Sequence, residues 1–234
     1  MKDQYVGDIR DFEKYSVLRA LAAASGLPLF VCWMLTADDD GGDGRKLDYL
    51  ERPERYRSRD AHVFDRLDEI VRRGERRVEA IEIAGVLENA TFFRRELKGQ
   101  ESSRQFYFKE LLESLDGRSL VFFDPDTGLA PPGAAKTRAS AAKYVFDDEL
   151  ADVYRRGHSL ILFDHFKRVP WPIYLEQARP RLAAATGAPG PFALYSAGVA
   201  FVILPQEGDD VSLRDGATRL VASWHPDLTL WNGR

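Results

Sequence analysis

The stretch Ser119-Leu-Val-Phe-Phe-Asp-Pro-Asp-Thr-Gly-Leu-Ala130 decides the fold that this sequence predicts. Its first five residues are mostly apolar, with two aromatic side chains, and predict a short buried strand. Asp124 and Asp126 follow and enclose Pro125, which should end the strand because proline restricts the residue before it to extended conformations. Both carboxylates are therefore predicted at the carboxyl end of a central strand, where open α/β sheets bind ligands. A turn without a site remains the alternative.

Composition limits the class of protein. The chain has 234 residues, 44% of them hydrophobic and 12% aromatic, and no linker-like segment divides it, so we expect one domain over residues 1–234. A net charge of −4 excludes the broad basic coat of a non-specific nucleic-acid binder, although not a local basic groove. No apolar run reaches the roughly 18 residues of a membrane helix. The first residues lack a signal region, and a cytoplasmic protein is expected.

Helices and strands alternate along most of the chain. Apolar periodicity predicts helices over residues 11–24, 62–73, 106–115, 139–156, 172–185 and 213–223. About seven strands are predicted, beginning near Leu29, Val78, Thr91, Ser119, Ser159, Phe192 and Val199, with a further short one over residues 228–231. Alternation favours parallel strands with helices on both faces. The tight turn at Ala197-Gly198 predicts a C-terminal antiparallel hairpin, so the fold class is an α/β three-layer sandwich with a mostly parallel sheet.

Acidic residues also follow the first predicted strand. The apolar run of residues 29–35 leads into a glycine-rich loop that begins at Thr36 and contains Asp38, Asp39 and Asp43. Adjacent carboxylates on a flexible backbone suit a cation or the hydroxyls of a ribose. A solvated turn is the equally weighted alternative.

Other polar residues occupy related positions. His165 follows the predicted strand of residues 159–163, and we expect it beside the Asp124 loop, as a functional group or as a structural histidine. Glu82 is predicted near the end of the strand that begins at Val78. Asp8 and Lys14 lie just before and on the first turns of the N-terminal helix, where a carboxylate would also cap the helix.

This arrangement resembles the Rossmann-like S-adenosylmethionine-dependent methyltransferases, whose last strand also turns back. Phe122-Phe-Asp-Pro-Asp-Thr-Gly128 is similar to the Asp-Pro-Pro-Tyr motif of amino-group methyltransferases. Residues 5–18 resemble the opening of the large-subunit rRNA adenine-N6 methyltransferases, with a glycine, an aspartate and a Lys-aromatic pair. A similar layout occurs in the three-cysteine-motif partner proteins of bacterial mobile elements, which implies nucleic-acid modification or a role in defence.

The resemblance implies S-adenosylmethionine as the donor and an amino group of a nucleic acid as the acceptor. Asp124 would accept a hydrogen bond from the amine, and the other implied catalytic residues are Asp126, His165 and Lys143. The implied cofactor-binding residues are Asp8, Lys14, Thr36, Asp38, Asp39, Asp43 and Glu82. Two features depart from the family pattern: the glycines after the first strand begin only at Gly41, and the motif lacks the aromatic residue that stacks on a flipped base.

Two other functions remain open. The spacing of Asp124, Asp126 and Gly128 also resembles the acidic pair of Toprim-type nucleases, in which carboxylates hold Mg²⁺. Glu82 or Asp39 would then complete the metal site, with Lys143 or His165 near the reacting phosphate. The third possibility is a partner module without catalysis.

Overall fold

A computed structural model describes residues 1–37, 44–98, 101–165 and 167–233. The strands are β1 (Leu29–Cys32), β2 (Thr91–Phe93), β3 (Leu120–Phe123), β4 (Gly128–Leu129), β5 (Tyr144–Val145), β6 (Ser159–His165), β7 (Phe192–Tyr195), β8 (Val199–Leu204) and β9 (Thr229–Trp231). The helices are α1 (Ile9–Ser25), α2 (Pro53–Tyr56), α3 (Ala61–Arg72), α4 (Val78–Ile83), α5 (Glu101–Ser114), α6 (Asp147–Arg155), α7 (Trp171–Thr186) and α8 (Asp210–Trp224).

Seven of the strands form one twisted sheet in the order β2-β1-β3-β6-β8-β7-β9. Strands β2, β1, β3 and β6 are parallel to one another, whereas β8 is antiparallel to both of its neighbours, β6 and β7. Strand β9 pairs antiparallel with β7 at the edge of the sheet. The mostly parallel Rossmann-like sandwich is thus confirmed, together with the predicted C-terminal hairpin.

Helices cover both faces of the sheet. One apolar core joins the sheet to α1, α3, α4 and α8, and a second joins the opposite face to α5, α6 and α7. Alternate residues of β3 enter the two cores, since Leu120 and Phe122 belong to the first and Val121 and Phe123 to the second. Burying each large apolar side chain stabilises the folded state by about 1.5–3 kcal/mol relative to leaving it exposed. Within the described residues, no helix has both the length and the apolar character needed to cross a membrane.

The strand order reverses beside β1. The chain passes from β1 to β2 on one side and then returns to place β3 on the other side. Such a reversal leaves a crevice outside the carboxyl ends of the two strands between which it occurs. Asp124 lies at this point, and its backbone nitrogen donates to the Cys32 carbonyl oxygen at 3.1 Å. The predicted position of Asp124 at the end of a central strand is therefore confirmed.

The predicted strand at residues 78–83 is wrong, because these residues form α4. Val78, Ala80 and Ile81 are buried, a spacing that fits one face of a helix, but six residues are too few to distinguish this from alternation. Asp3 accepts a hydrogen bond from the Val78 nitrogen at 2.8 Å and so caps the helix from 75 residues away. The seventh strand of the sheet is instead β9.

The predicted helix over residues 139–156 is wrong in its first half. Residues 139–143 form a 3₁₀ turn, β5 follows and pairs in parallel with β4, and α6 begins only at Asp147. The buried Arg104 holds this segment, donating to the carbonyl oxygens of Ala141 at 2.8 Å and Tyr144 at 2.7 Å. It also contacts Glu149 Oε1 at 2.5 Å.

Gly128 fixes the course of the loop that follows β3. Its φ is +116°, and a Cβ atom there would lie 1.8 Å from Oδ1 of Asp164, a buried residue of β6. Any other residue would therefore clash with the strand beneath the loop, besides adopting a backbone conformation that side chains rarely allow.

We expect Gly128→Ala to lower the free energy of unfolding by more than about 2 kcal/mol. Gly133→Ala is the matched control, since its φ is +76° and no atom lies within 4 Å of the added carbon. The control should lose only about 1 kcal/mol. Urea unfolding of both variants measures the difference, and equal losses would contradict this account of Gly128.

Candidate functional site

Strand parity brings Asp124 and His165 to the same face of the sheet. Asp124 continues the alternation of Leu120 and Phe122, and His165 continues that of Ile161 and Phe163, all of which belong to the core under α1. Asp164 therefore points to the opposite face, where Tyr174 donates to it at 2.5 Å. The His165 backbone nitrogen donates to the Thr127 carbonyl oxygen at 3.3 Å, so the two strand ends are adjacent, as the sequence predicted.

A buried lysine joins helix α1 to the end of β3. Lys14 Nζ lies 2.8 Å from Asp124 Oδ2 and 2.8 Å from Asp11 Oδ1, and each of the three side chains is at most 3% exposed. Burial lowers the pKa of Lys14, but the two carboxylates outweigh burial and raise it above its usual value. The ammonium therefore stays charged. Burial likewise raises the pKa of Asp11, against the opposing effect of Lys14.

Aromatic rings surround the same ammonium. The Lys14 Nζ atom lies 5.1 Å from the ring centroid of Tyr15, 5.2 Å from that of Phe163 and 5.8 Å from that of Trp33. The faces of these rings attract a cation and exclude water. Lys14 is thus held by two carboxylates in surroundings that strengthen its ion pairs.

Asp126 is held by a separate set of contacts. Its Oδ1 lies 3.3 Å from the Met1 amino nitrogen, and its Oδ2 accepts from the Thr36 hydroxyl at 2.8 Å and lies 3.3 Å from Lys2 Nζ. Burial raises the pKa of Asp126, but the Met1 amino group, Thr36 and Lys2 together bring it below its usual value. The Met1 amino nitrogen also donates to the Asp124 carbonyl oxygen at 2.8 Å.

These residues border one cavity of about 540 Å³, a size typical of small-molecule sites. It lies between α1, the carboxyl ends of β3 and β6, and the turn that joins β7 to β8. Its charged and titratable residues are Met1, Tyr5, Asp8, Arg10, Asp11, Lys14, Lys46, Asp124, Asp126 and His165. Five of the predicted site residues therefore meet at one place, namely Asp8, Lys14, Asp124, Asp126 and His165.

The other predicted site residues lie elsewhere or cannot be placed. Thr36 reaches the cavity only through its hydrogen bond to Asp126. Lys143 is exposed at the end of the 3₁₀ turn and does not line the cavity. Asp38, Asp39 and Asp43 lie outside the described residues.

Glu82 is placed on α4 rather than at the end of a strand. Its Oε1 accepts from the Trp33 indole nitrogen at 2.8 Å, and its Oε2 accepts from Arg94 Nε at 2.6 Å. Glu82 therefore links the residues that directly follow β1 and β2, and it does not line the cavity.

Asp8 and Asp11 divide the roles that the sequence left open. Asp8 caps α1, accepting from the Arg10 nitrogen at 3.0 Å, and also accepts from the Lys46 nitrogen at 2.9 Å. Asp11 does not cap the helix but holds Lys14 and accepts from the Gly7 nitrogen at 3.1 Å. The three-residue spacing of Asp11 and Lys14 was the signal for this pair.

Two groups in the cavity retain hydrogen-bonding capacity. Asp124 Oδ1 has no hydrogen-bond partner among the residues that the structure describes, although Lys14 holds Oδ2. The His165 imidazole also has none within those ranges. Burial lowers the pKa of His165 to about 4, so its ring is neutral at pH 7 and one ring nitrogen is free to accept a proton. The site can therefore bind and orient a hydrogen-bond donor such as an amine.

The geometry gives little support to a metal site. No group of three or more His, Cys, Asp or Glu side chains suited to a metal ion occurs among the described residues. Asp124 and Asp126 are each paired with a cationic group, so a divalent ion would have to displace those cations.

No family model, curated protein or solved structure matches this chain. The residues of the site therefore provide the evidence for function.

Lys14→Met should reduce stability sharply, because it leaves Asp11 and Asp124 buried without their cation. We expect a loss of about 3–5 kcal/mol in the free energy of unfolding, measured with urea. The control is Lys109→Met, which removes an exposed lysine 3.8 Å from Glu113 and should cost less than about 1 kcal/mol. Similar losses in both variants would show that the buried ion pairs are not needed.

The low pKa of His165 also predicts a pH dependence of stability. Between pH 6.5 and about 4 the unfolded chain binds a proton at this position and the folded chain does not. Stability should therefore fall as the pH is lowered through that range and be unaffected by His165 above it. His165→Gln should make the fall less steep, and NMR titration of the imidazole should show no protonation at pH 6. A midpoint near pH 6.5 would contradict the prediction.

Proposed function

We propose that this chain is a methyltransferase that modifies an amino group of a nucleic acid with S-adenosylmethionine as the donor. One observation carries the proposal: Asp124, followed by Pro125 at the end of a central strand, has Oδ2 held by Lys14 and Oδ1 without a partner among the described residues, in a cavity at the carboxyl ends of β3 and β6. An oriented acceptor is what the alignment of an amine requires.

The donor would lie over the carboxyl ends of β1 and β2. These ends remain together beyond the strands, because Leu35 pairs with Glu96 and the Leu97 nitrogen donates to the Leu35 carbonyl oxygen at 2.8 Å. Glu96 is exposed and has no ion pair within the described ranges. It offers the carboxylate that a ribose diol takes at the end of a second parallel strand. Glu82, which the resemblance implied as a cofactor-binding residue, is instead bound to Trp33 and Arg94.

When bound, S-adenosylmethionine supplies a methyl group on a positively charged sulfur. The Asp124 Oδ1 atom accepts a hydrogen bond from the substrate amine and directs its lone pair. Lys14, 2.8 Å from Oδ2, fixes the direction of this carboxylate. Neutral His165, whose ring nitrogen is free, accepts the proton that the amine nitrogen loses as it gains the methyl group.

Two features of the cavity suit a base-sized substrate. Its volume of about 540 Å³ lies within the range for small-molecule sites. The Phe163 ring forms part of its lining and packs edge-on against His165, with ring centroids 4.7 Å apart. Phe163 is itself buried in the core, so it adds an apolar part to the wall of the cavity and does not replace the aromatic residue missing from the Asp-Pro-Asp-Thr motif.

Calorimetry with S-adenosylmethionine and transfer of its labelled methyl group to RNA and DNA test the proposal. Asp124→Asn should retain donor binding within about twofold and lose about 100-fold or more of the transfer rate, since one orienting acceptor is removed. Asp11 still balances the charge of Lys14 in this variant, so folding should be preserved. Glu96→Gln should weaken donor binding.

Asp152→Asn is the matched control, because Asp152 is exposed on α6 and, within the described residues, pairs with Arg155 alone. It should behave as the wild type in both measurements. The absence of donor binding by the wild-type chain, or equal transfer rates in the Asp124 and Asp152 variants, would refute the proposal.

A further inference from the structure

A fixed guanidinium group forms one wall of the cavity. Arg10, on the first turn of α1, lines the cavity and donates from Nη1 to Glu13 Oε2 at 2.7 Å and to Ser196 Oγ at 3.0 Å. Ser196 Oγ in turn donates to Glu13 Oε2 at 3.1 Å. Glu13 on the same helix and Ser196 from the turn after β7 thus both hold Nη1 of Arg10, and they set the direction of its side chain.

The turn between β7 and β8 is shaped to receive this group. A Cβ atom on Gly198 would lie 2.6 Å from Arg10 Nη2 and 3.0 Å from Cζ. The backbone of Gly198 does not have a positive φ, and a side chain at this position would have to displace the Arg10 guanidinium. The face of the guanidinium therefore rests against the turn, in a place that a larger residue would block.

The remaining donors of Arg10 have no partner in the part of the chain that the structure describes. Neither Nε nor Nη2 makes a hydrogen bond to any residue that the structure describes, although both are strong donors. Lys46 lines the same cavity, is exposed, and its ammonium has no ion pair among the same residues. A held guanidinium with a free edge and an exposed ammonium on the same cavity form an arrangement that binds oxyanions, above all phosphate.

The position of Arg10 favours a phosphate on the acceptor rather than the carboxylate of the donor. Its contacts are with the turn at residues 196–198, next to β8, which lies beyond β6 in the sheet order. The proposed donor site lies over β1 and β2, on the other side of the switch point. An anion bound by Arg10 would therefore belong to the ligand whose amine reaches Asp124.

We infer that Arg10 and Lys46 form a subsite for the phosphate of a nucleotide bound in the cavity. The inference rests on the proposed function in so far as that nucleotide is the acceptor, but the site itself needs no methyl donor. Its test uses adenosine and adenosine 5′-monophosphate as probes, without S-adenosylmethionine, and calorimetry to measure their affinities.

The wild-type chain should bind the monophosphate roughly tenfold or more tightly than adenosine, since the phosphate adds charge-assisted hydrogen bonds. Arg10→Gln should abolish this difference and leave adenosine binding unchanged. Arg10→Lys, which keeps a positive charge beside Glu13, should retain part of the difference and covers the case in which Arg10→Gln fails to fold. Lys46→Gln should reduce the difference partially.

Arg219→Gln is the control, because Arg219 is an exposed arginine of α8 that does not line the cavity. Equal affinity of the wild-type chain for the two probes, or equal effects of the Arg10 and Arg219 variants, would overturn the inference. Weaker binding of S-adenosylmethionine with an unchanged preference for the monophosphate would also overturn it, and would assign Arg10 to the donor carboxylate.

These outcomes are separable from those that test methyl transfer. A preference for the monophosphate that depends on Arg10, in a chain that binds no S-adenosylmethionine, would retain the phosphate subsite and remove the methyltransferase. Methyl transfer without that preference would retain the enzyme and remove the subsite.

Discussion

The ion pair between Lys14 Nζ and Asp124 Oδ2, 2.8 Å long and buried, connects the first helix to the central strand of the sheet. Its geometry determines the direction of the Asp124 carboxylate, and Asp11 shares the same ammonium. Because burial makes any unpaired charge costly, the three residues form a unit whose members depend on one another. The cavity, the free Asp124 oxygen and the neutral His165 all lie around this unit.

The topology of the sheet explains why these three residues lie at the carboxyl ends of the strands, where open α/β sheets bind ligands. Helix α1 precedes β1 and covers the face to which Asp124 and His165 point, so that its lysine meets the end of β3. The order of strands places β1 between β2 and β3, which opens the crevice at their carboxyl ends. The antiparallel hairpin of β7 and β8 adds the turn that carries Ser196 and Gly198, and this turn forms the remaining wall of the cavity.

The sequence predicted long, strongly patterned elements well. The strands β1, β3 and β6, the C-terminal hairpin and the helices α1, α3, α7 and α8 were all recognisable from apolar runs and helical periodicity. Failure came where a segment is short or is held by a distant residue. Helix α4 is six residues long and is capped by Asp3, and the segment before α6 is held by Arg104. Neither long-range contact leaves a local pattern.

The sequence by itself determined the fold class and the position of the acidic residues at the carboxyl end of the central strand, because strand parity and proline placement are local properties. Only the tertiary structure decided which side chains share the cavity. Lys14, Asp11 and Arg10 join Asp124 and His165 there, whereas Glu82 and Lys143 do not line it. The physical reason is that packing between elements far apart in the chain determines which groups contact a buried charge. The periodicity of one element does not indicate contacts with a distant element.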